Sequence, residues 1–295
     1  SICNLRMSLL IRPIEDVDAT GCGKVGYEAH MTISSKHGYP SEQPSEEFGI
    51  DLIRRLLGNP NSWGVLAERE GKTLGSIFLH KFPPSPVAVI GPLTVHPSAG
   101  GGVGKMLMQA ALSQAREENH DHIRLVQSPS HIRSFVLYTK SGFALREPLF
   151  LMQGQPLKDS YNSSSTNVRQ VLDGNDVSVC NELCKSICGF SRDMELRQAK
   201  DQGVATMLER DGVITGYAAG IGIFGHSVAK SNEGLKTLIA NASVVHGPGF
   251  FVPARNYELM NWLLENDFRI GWPANLMTIG PYQEPLTPFL PSLAY

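Results

Sequence analysis

A glycine-rich turn between a strand-like and a helix-like segment constrains this chain more than any other feature. The apolar run that reaches Val95 has strand character, and His96-Pro97 ends it. From Val103 onward, apolar residues recur at helical spacing. The turn exposes backbone N–H groups at the positive end of the helix dipole through four glycines, Gly100, Gly101, Gly102 and Gly104. This arrangement predicts a binding site for a phosphate group.

Two common phosphate motifs fit this turn poorly. The segment from Ala99 to Lys105 approaches a nucleotide-binding P-loop, but it lacks the first glycine, and Met106 stands where a hydroxyl should hold magnesium. A dinucleotide fingerprint needs a third glycine five residues after the first. That position is Lys105 when counted from Gly100 and Leu107 when counted from Gly102. A nucleotide phosphotransferase is therefore a weak alternative, which magnesium-dependent ATP binding would revive.

A short helix further along supplies a second functional pattern. The segment from His131 to Gly142 is predicted to be helical and to end at the glycine. His131, Ser134 and Tyr138 share one face at spacings of three and four, so this face is expected to line a ligand channel. The other face, with Ile132, Phe135 and Val136, is expected to pack inward.

Together these two segments resemble the GNAT superfamily of N-acetyltransferases. The turn from Ala99 to Gly104 is similar to the family's acetyl-coenzyme A loop, Gln/Arg-x-x-Gly-x-Gly/Ala, except that Ala99 replaces the Gln or Arg. This departure removes one side-chain contact to pyrophosphate but leaves the backbone amides. The segment from His131 to Phe143 is similar to the family's Asn-x-x-Ala-x-x-Leu-Tyr-x-x-x-Gly-Phe pattern.

The resemblance implies an α+β (mixed α/β) fold of two tandem GNAT-like domains, each a mixed, mostly antiparallel sheet flanked by helices. Residues 7–153 are expected to form the catalytic domain, residues 154–167 a serine-rich linker, and residues 168–295 a divergent domain. The second half repeats the order strand, helix, hairpin, helix, strand, helix, Phe. Its segment 223–230 has no glycine-rich turn, so it lacks a complete cofactor loop.

The activity implied by the resemblance is transfer of the acetyl group of acetyl-coenzyme A to a primary amine of a small molecule or peptide, by direct attack in a ternary complex. Tyr138 matches the family's general acid, which protonates the leaving thiolate. The implied cofactor-binding residues are those of a bulged fourth strand, the loop and the short helix: Leu93, Thr94, Val95, Gly100, Gly101, Gly102, Val103, Gly104, Lys105, His131, Ser134 and Tyr138.

The sequence indicates the general base and the acceptor amine less specifically than the cofactor site. Val87–Val95 contains no acid, so His80 or His96 is a candidate base, since histidine titrates near neutrality. Glu28 could hold the substrate ammonium, and the local acidity of Glu28, Glu42, Glu46 and Glu47 would suit a polyamine or lysine-like amine. A non-catalytic acyl-coenzyme A sensor or assembly module is the alternative function, because Ala99 and the missing carboxylate depart from the family pattern.

Composition sets the remaining expectations. A net charge of -2 without a basic stripe argues against nucleic acid as a partner. The absence of a long apolar run argues against a membrane span. Ser1 to Met7 is too short and polar for a signal peptide, and a natural start is expected at Met7. The five cysteines form no CxxC pair, which favours a reducing, cytoplasmic location and no metal. Cys180, Cys184 and Cys188 are interpreted as a buried helix face, and the chain as a monomer or homodimer.

Overall fold

The computed structural model describes residues 9–157 and 166–293; the predicted start at Met7 and residues 158–165 of the predicted linker lie outside these ranges. Within them the helices are α1 (Ala19–His37), α2 (Glu46–Leu57), α3 (Val103–Glu117), α4 (Ile132–Lys140), α5 (Gly174–Cys188), α6 (Asp193–Asp201), α7 (Asn232–Ala240) and α8 (Tyr257–Glu265). The strands are β1 (Leu10–Pro13), β2 (Ser62–Arg69), β3 (Lys72–Lys81), β4 (Val87–Val95), β5 (His122–Gln127), β6 (Ala144–Gln153), β7 (Thr166–Gln170), β8 (Ala205–Arg210), β9 (Val213–Ala219), β10 (Ser227–Ala229), β11 (Phe250–Pro253), β12 (Arg269–Ile279) and β13 (Phe289–Leu290).

The chain divides into two compact units, and the division does not follow chain order. The first unit comprises the described residues through Lys81, together with Ala88–Ile123 and Ser130–Phe143. The second unit comprises Phe82–Val87, Arg124–Pro129 and the described residues from Ala144 onward. The strand β6, which precedes the linker, is therefore part of the second unit.

The first unit is built on the antiparallel strands β1, β2, β3 and β4, which pair in that order. Helices α1 and α3 pack on β3, and a core that includes Cys22, Ile53, Leu66 and Phe78 is nearly inaccessible to solvent. Helices α1 and α2 approach closely at glycines. A Cβ on Gly23 would lie 2.5 Å from the backbone nitrogen of Ile50, so this crossing excludes side chains there.

The second unit contains two strand sets. One is the antiparallel order β13-β10-β9-β8-β7. In the other, β5, β12, β6 and β11 are neighbours in that order, and β6 runs antiparallel to both β12 and β11. Strands from before and after the linker thus alternate in this set. The predicted mixed α+β fold, with mostly antiparallel sheets flanked by helices, is confirmed.

The two halves of the chain repeat one ion pair with the same geometry. In the first, the Arg12 guanidinium donates two hydrogen bonds to the Asp18 carboxylate, at 2.7 and 2.8 Å. In the second, Arg169 donates to Asp176 at the same two distances. Each arginine lies on the first strand of its repeat, and each aspartate lies near the start of the following helix. The pair therefore fixes strand to helix in both repeats, which supports the internal repeat inferred from element order.

None of the helices in the described ranges is both long enough and apolar enough to cross a membrane.

Replacing Asp176 with Asn should remove a pH-dependent part of the stability. Hydrogen bonds from Arg169 lower the pKa of Asp176 from 3.8 to about 2. The carboxylate therefore stabilises the fold fully above pH 3.8, and this contribution disappears as the pH falls toward 2. We expect Asp176→Asn to lower the free energy of unfolding by about 2 kcal/mol at pH 7.

Urea denaturation at pH 7 and near pH 2 measures the free energy of unfolding at each pH, and the loss caused by Asp176→Asn should be smaller near pH 2. Asp201→Asn is the control, since the Asp201 side chain is 70% exposed. If the difference between Asp176→Asn and the unaltered protein is the same at both pH values, the ionised carboxylate is not the source of the stability.

Candidate functional site

A β-bulge interrupts β4, the strand for which the resemblance implied one, and it lies just before Leu93 rather than at Leu93–Val95. Ile77 of β3 is opposite Leu93, whereas Leu79 is opposite Ile90, so two residues of β4 face a single residue of β3. These two residues are Gly91 and Pro92. Gly91 has φ 149°, which favours glycine, and Pro92 has no N–H to donate. The bulge thus precedes the stretch expected to meet the cofactor.

Beyond the bulge, Leu93, Thr94 and Val95 complete the strand. The Thr94 side chain is buried, with its hydroxyl 3.3 Å from that of Ser76. Leu93 and Val95 are partly exposed. A ligand could consequently contact the chain at these two positions.

The turn after β4 is a glycine loop that leads into a helix N-terminus. Gly100 and Gly102 have φ values of 81° and 98°, which side chains other than glycine rarely adopt. Gly102 is the N-cap of α3, and no side chain in the described ranges caps this end. The first N–H groups of α3, from Val103, Gly104 and Lys105, are thus uncapped and suited to an anion.

The residue that precedes these glycines, Ala99, differs from the family pattern, as the sequence indicated. Ala99 is only 5% exposed, and its N–H donates to the carbonyl oxygen of His96 at 3.0 Å. Its side chain therefore packs inward, and the loop presents backbone rather than a long polar side chain.

The loop, β4 and α4 converge at Gly104. A Cβ on Gly104 would lie 3.4 Å from Leu137 of α4 and 3.6 Å from Val95 of β4. His131 is the N-cap of α4, and the Ser134 hydroxyl donates to the His131 carbonyl oxygen at 2.9 Å. Burial, followed by the nearby positive charges, lowers the pKa of His131, so its ring is neutral at neutral pH. The structure therefore brings the two predicted motifs together.

Tyr138 lies one position beyond Leu137 on this helix. Its ring is tilted against that of Phe143, with centroids 6.0 Å apart. Burial, and secondarily the negative charge of Glu42, raises the pKa of Tyr138. The phenol therefore keeps its proton at neutral pH and is available as a hydrogen-bond donor.

His96 and Glu28, which the sequence suggested separately, form one pair. The Nδ1 atom of His96 accepts hydrogen bonds from the backbone N–H and the hydroxyl of Ser98, at 3.1 and 2.8 Å. The proton of the ring is therefore on Nε2, which lies 2.7 Å from a carboxylate oxygen of Glu28. The Glu28 side chain is 51% exposed, so the pair holds a carboxylate that faces solvent.

His80 is held differently. The hydroxyl of Ser62 lies 2.7 Å from its Nδ1, and its Nε2 lies 2.6 Å from the carbonyl oxygen of Gly91. Since the carbonyl can only accept, Nε2 carries the proton and Nδ1 accepts from Ser62. Burial lowers the pKa of His80, which favours this neutral form. Both ring nitrogens are engaged, so this geometry offers no lone pair to a substrate.

Glu42 is a residue whose place the sequence could not give. It lies in the loop between α1 and α2, and its charge acts on the phenol of Tyr138. A second histidine, His30, has its Nδ1 3.8 Å from the Glu42 carboxylate. The local acidity was visible in the sequence, but the approach of this loop to Tyr138 depends on the fold.

The second repeat lacks the features of the loop. Only Lys230 and Ser231 stand between β10 and α7, where the first repeat has the residues His96–Gly102. The Ser231 hydroxyl accepts from the N–H of Gly234 at 3.2 Å and so caps α7. This helix N-terminus is thus occupied by the protein's own side chain.

The helix α8 corresponds to α4 in the second repeat. Their N-caps, Asn256 and His131, have similar backbone angles, and Phe268 and Phe143 donate equivalent hydrogen bonds to the carbonyls of Leu263 and Tyr138, both at 3.0 Å. Leu263, fully buried, therefore stands where the first repeat has its phenol.

Polar side chains also link α7 to α8. Asn232 donates to Glu258 at 2.9 Å and accepts from Asn256 at 2.8 Å, and Lys236 donates to Glu258 at 2.9 Å. In the second repeat, the protein's own hydrogen bonds thus span the space between α7 and α8, the helices that correspond to α3 and α4.

Two further expectations concern side chains outside this site. Ile132 and Val136 were expected to pack inward, but they are 65% and 44% exposed. This expectation was wrong. Cys180, Cys184 and Cys188 are buried on α5 as interpreted, and the described residues contain no cluster of three or more potential metal ligands.

One family model and several solved structures are similar to this chain. Residues 29–143 match the model of the Acetyltransferase (GNAT) family. A protein from Pyrococcus horikoshii described as an acetyltransferase is 16% identical, with TM-score 0.68, and the match covers 95% of this chain and 92% of that one. A GCN5-related N-acetyltransferase from Sphaerobacter thermophilus is 14% identical, with TM-score 0.66, covering 94% and 97%.

A tandem GNAT protein from the clavulanic acid biosynthesis pathway is 16% identical, with TM-score 0.52, covering 94% of this chain and all (100%) of that one. The comparison with curated protein sequences gave no match. At these identities the structural matches establish the fold, which is that of a tandem GNAT protein.

Proposed function

Because residues 29–143 match the model of the GNAT acetyltransferase family and the chain has the fold of a tandem GNAT protein, we propose that it transfers the acetyl group of acetyl-coenzyme A to a primary amine of a small molecule or peptide. The observation that carries the proposal is the uncapped N-terminus of α3 beside the bulged strand β4 and Tyr138. The reaction proceeds by direct attack in a ternary complex, in a cytoplasmic monomer or homodimer.

Acetyl-coenzyme A is placed by backbone groups in this proposal. Its pyrophosphate binds the N–H groups of the loop and of the first turn of α3, where the helix dipole favours an anion. Its pantetheine arm pairs with the backbone at Leu93, Thr94 and Val95 and passes His131 and Ser134. Lys105, exposed in the first turn of α3, adds a positive charge beside the phosphates. The donor set requires no metal ion.

Tyr138 acts at the leaving group. When the amine nitrogen bonds to the acetyl carbon and the carbon–sulfur bond breaks, the sulfur gains negative charge and takes a proton. The Tyr138 phenol carries its proton at neutral pH, so it can give that proton to the sulfur as the general acid of this proposal. The second repeat has Leu263 at this position, so only the first repeat has a phenol for this step.

Glu28 receives the acceptor amine. The amine arrives as an ammonium ion and must lose a proton before it attacks. The exposed carboxylate of Glu28, oriented by the N–H of His96, holds the ammonium and accepts that proton directly or through water. His96 is thereby a positioning residue in this proposal, and His80 takes no part as a base.

Calorimetric titration with acetyl-coenzyme A tests the proposal. We expect one site per chain, because Ser231 occupies the equivalent helix end in the second repeat. Gly102→Ala should weaken binding about tenfold, since its φ of 98° strains a side chain by about 1–2 kcal/mol where the loop meets the ligand.

Gly212→Ala is the matched control, because Gly212 has φ 77° and open space around it in the second repeat. It should cost similar stability and leave binding unchanged. Two sites per chain would contradict the role given to Ser231. Binding of ATP with magnesium, but not of acetyl-coenzyme A, would replace the proposal by phosphotransfer.

Thiol release with a panel of primary amines identifies the acceptor and then tests Tyr138. Tyr138→Phe should lower kcat about a hundredfold or more, while the Kd for acetyl-coenzyme A changes little, because only the leaving-group proton is lost. Tyr257→Phe, at a site 79% exposed on α8, is the control. An unchanged kcat would remove Tyr138 from the mechanism; binding without thiol release for any amine would favour a non-catalytic acyl-coenzyme A sensor or assembly module.

Glu28→Gln should lower kcat/KM for the amine about tenfold or more, because the ammonium loses its charged partner and its proton acceptor. His96→Ala should reproduce part of this loss, since it frees the Glu28 side chain. Glu182→Gln, at an exposed position on α5 in the second repeat, is the control. Steady-state kinetics with the identified acceptor measure the effect, and an unchanged kcat/KM in Glu28→Gln would refute this role.

A further inference from the structure

We propose that His80 is a positioning residue that locks the bulge of β4 in the shape that receives acetyl-coenzyme A. The inference rests on the proposed function, because it assigns a purpose to the bulge. It concerns a residue that lies on β3 and acts on the cofactor only through the backbone of the neighbouring strand.

A chain of hydrogen bonds connects three strands at this point. Ser62 of β2 donates to Nδ1 of His80 at 2.7 Å, and Nε2 of His80 donates to the carbonyl oxygen of Gly91 at 2.6 Å. In the ladder between β3 and β4, His80 is paired with Val89, two residues before Gly91. The imidazole therefore reaches past its own partner to the bulge.

The packing around the imidazole fixes its direction. Its ring lies parallel to that of Phe78, with centroids 6.3 Å apart. Phe78 is 1% exposed and is the residue of β3 that faces the two bulged residues. Gly64 of β2 leaves room for that ring, since a Cβ there would lie 2.8 Å from it. The histidine thus has little freedom to leave the Gly91 carbonyl.

The bulge needs such a partner because its own backbone pairs incompletely. Pro92 has no N–H, and the two-against-one register takes Gly91 out of the regular ladder with β3. His80 supplies the donor that the ladder cannot. With the Gly91 carbonyl held, Leu93, Thr94 and Val95 start from a defined position, and the cofactor meets a preformed strand.

Three substitutions separate this role from general structural support. His80→Leu removes both hydrogen bonds, Ser62→Ala removes only the one that orients the ring, and His80→Gln keeps an N–H that can reach the Gly91 carbonyl. We expect the Kd for acetyl-coenzyme A to rise about tenfold in His80→Leu, less in Ser62→Ala, and to recover largely in His80→Gln.

Amide hydrogen exchange gives a readout besides activity. In His80→Leu the amides of Leu93, Thr94 and Val95 should exchange faster, while those of strands β8 and β9 in the second unit keep their rates. The kcat at saturating acetyl-coenzyme A should change less than the KM for it, because the reacting groups are intact.

The outcomes distinguish this inference from the proposed function. If the unaltered protein does not bind acetyl-coenzyme A, the proposed function fails, whatever the variants do. If it binds, and His80→Leu binds equally well with unchanged exchange at Leu93–Val95, the inference about His80 is overturned. A loss in His80→Leu that is spread over the whole first unit, and that His80→Gln does not relieve, would also overturn it, since it would indicate general destabilisation.

Discussion

The N-terminus of a helix leaves N–H groups that need an acceptor, and the two repeats meet this need in opposite ways. In the first repeat a glycine loop precedes α3, and no described side chain caps it. In the second repeat Ser231 caps α7, and hydrogen bonds among Asn232, Asn256 and Glu258 span the space beside it. Among the described residues, the N–H groups at the start of α3 lack a side-chain acceptor, whereas those of α7 have one. A single anion site is therefore expected although the fold is duplicated.

In both repeats the same type of ion pair joins the first strand to the first helix. Arg12 with Asp18, and Arg169 with Asp176, tie the first strand to the first helix through bidentate hydrogen bonds of equal length. Bidentate pairs of this type restrict both distance and direction. This connection can therefore survive the loss of the loop and the exchange of the phenol for Leu263, because neither change involves the residues that hold the sheet to its helices.

The sequence predicted the elements whose apolar periodicity is strong, and it failed where packing or pairing overrides the pattern. The predicted helix from His131 to Gly142 contains α4 (Ile132–Lys140), whereas no helix was predicted at α6, in which only Leu196 and Ala199 are buried. Strand β12 was also not predicted. Gly271 and Pro273 interrupt its pattern at an irregularity in the register with β6, and pairing with that strand keeps it extended nonetheless.

The same distinction applies to the candidate site. A contiguous motif can be read from spacing, so the glycine loop and the face of α4 were identified without the fold. The contacts of His80 with Gly91, of His96 with Glu28 and of Glu42 with His30 join different elements, and no local pattern encodes them. Residue type alone made both histidines candidate bases, since imidazole titrates near neutrality.

The hydrogen-bond partners of His80 and His96 determine which of them could take part in proton transfer. A base needs a free lone pair or a partner that has one. The lone pair of His80 accepts from Ser62 and its N–H is given to a backbone carbonyl, so its interactions end within the sheet. The lone pair of His96 accepts from Ser98, but its N–H is given to Glu28, whose carboxylate faces solvent. The network of His96 therefore reaches a solvent-facing carboxylate that could exchange a proton, whereas the network of His80 does not. The two histidines cannot be distinguished in this way from the sequence.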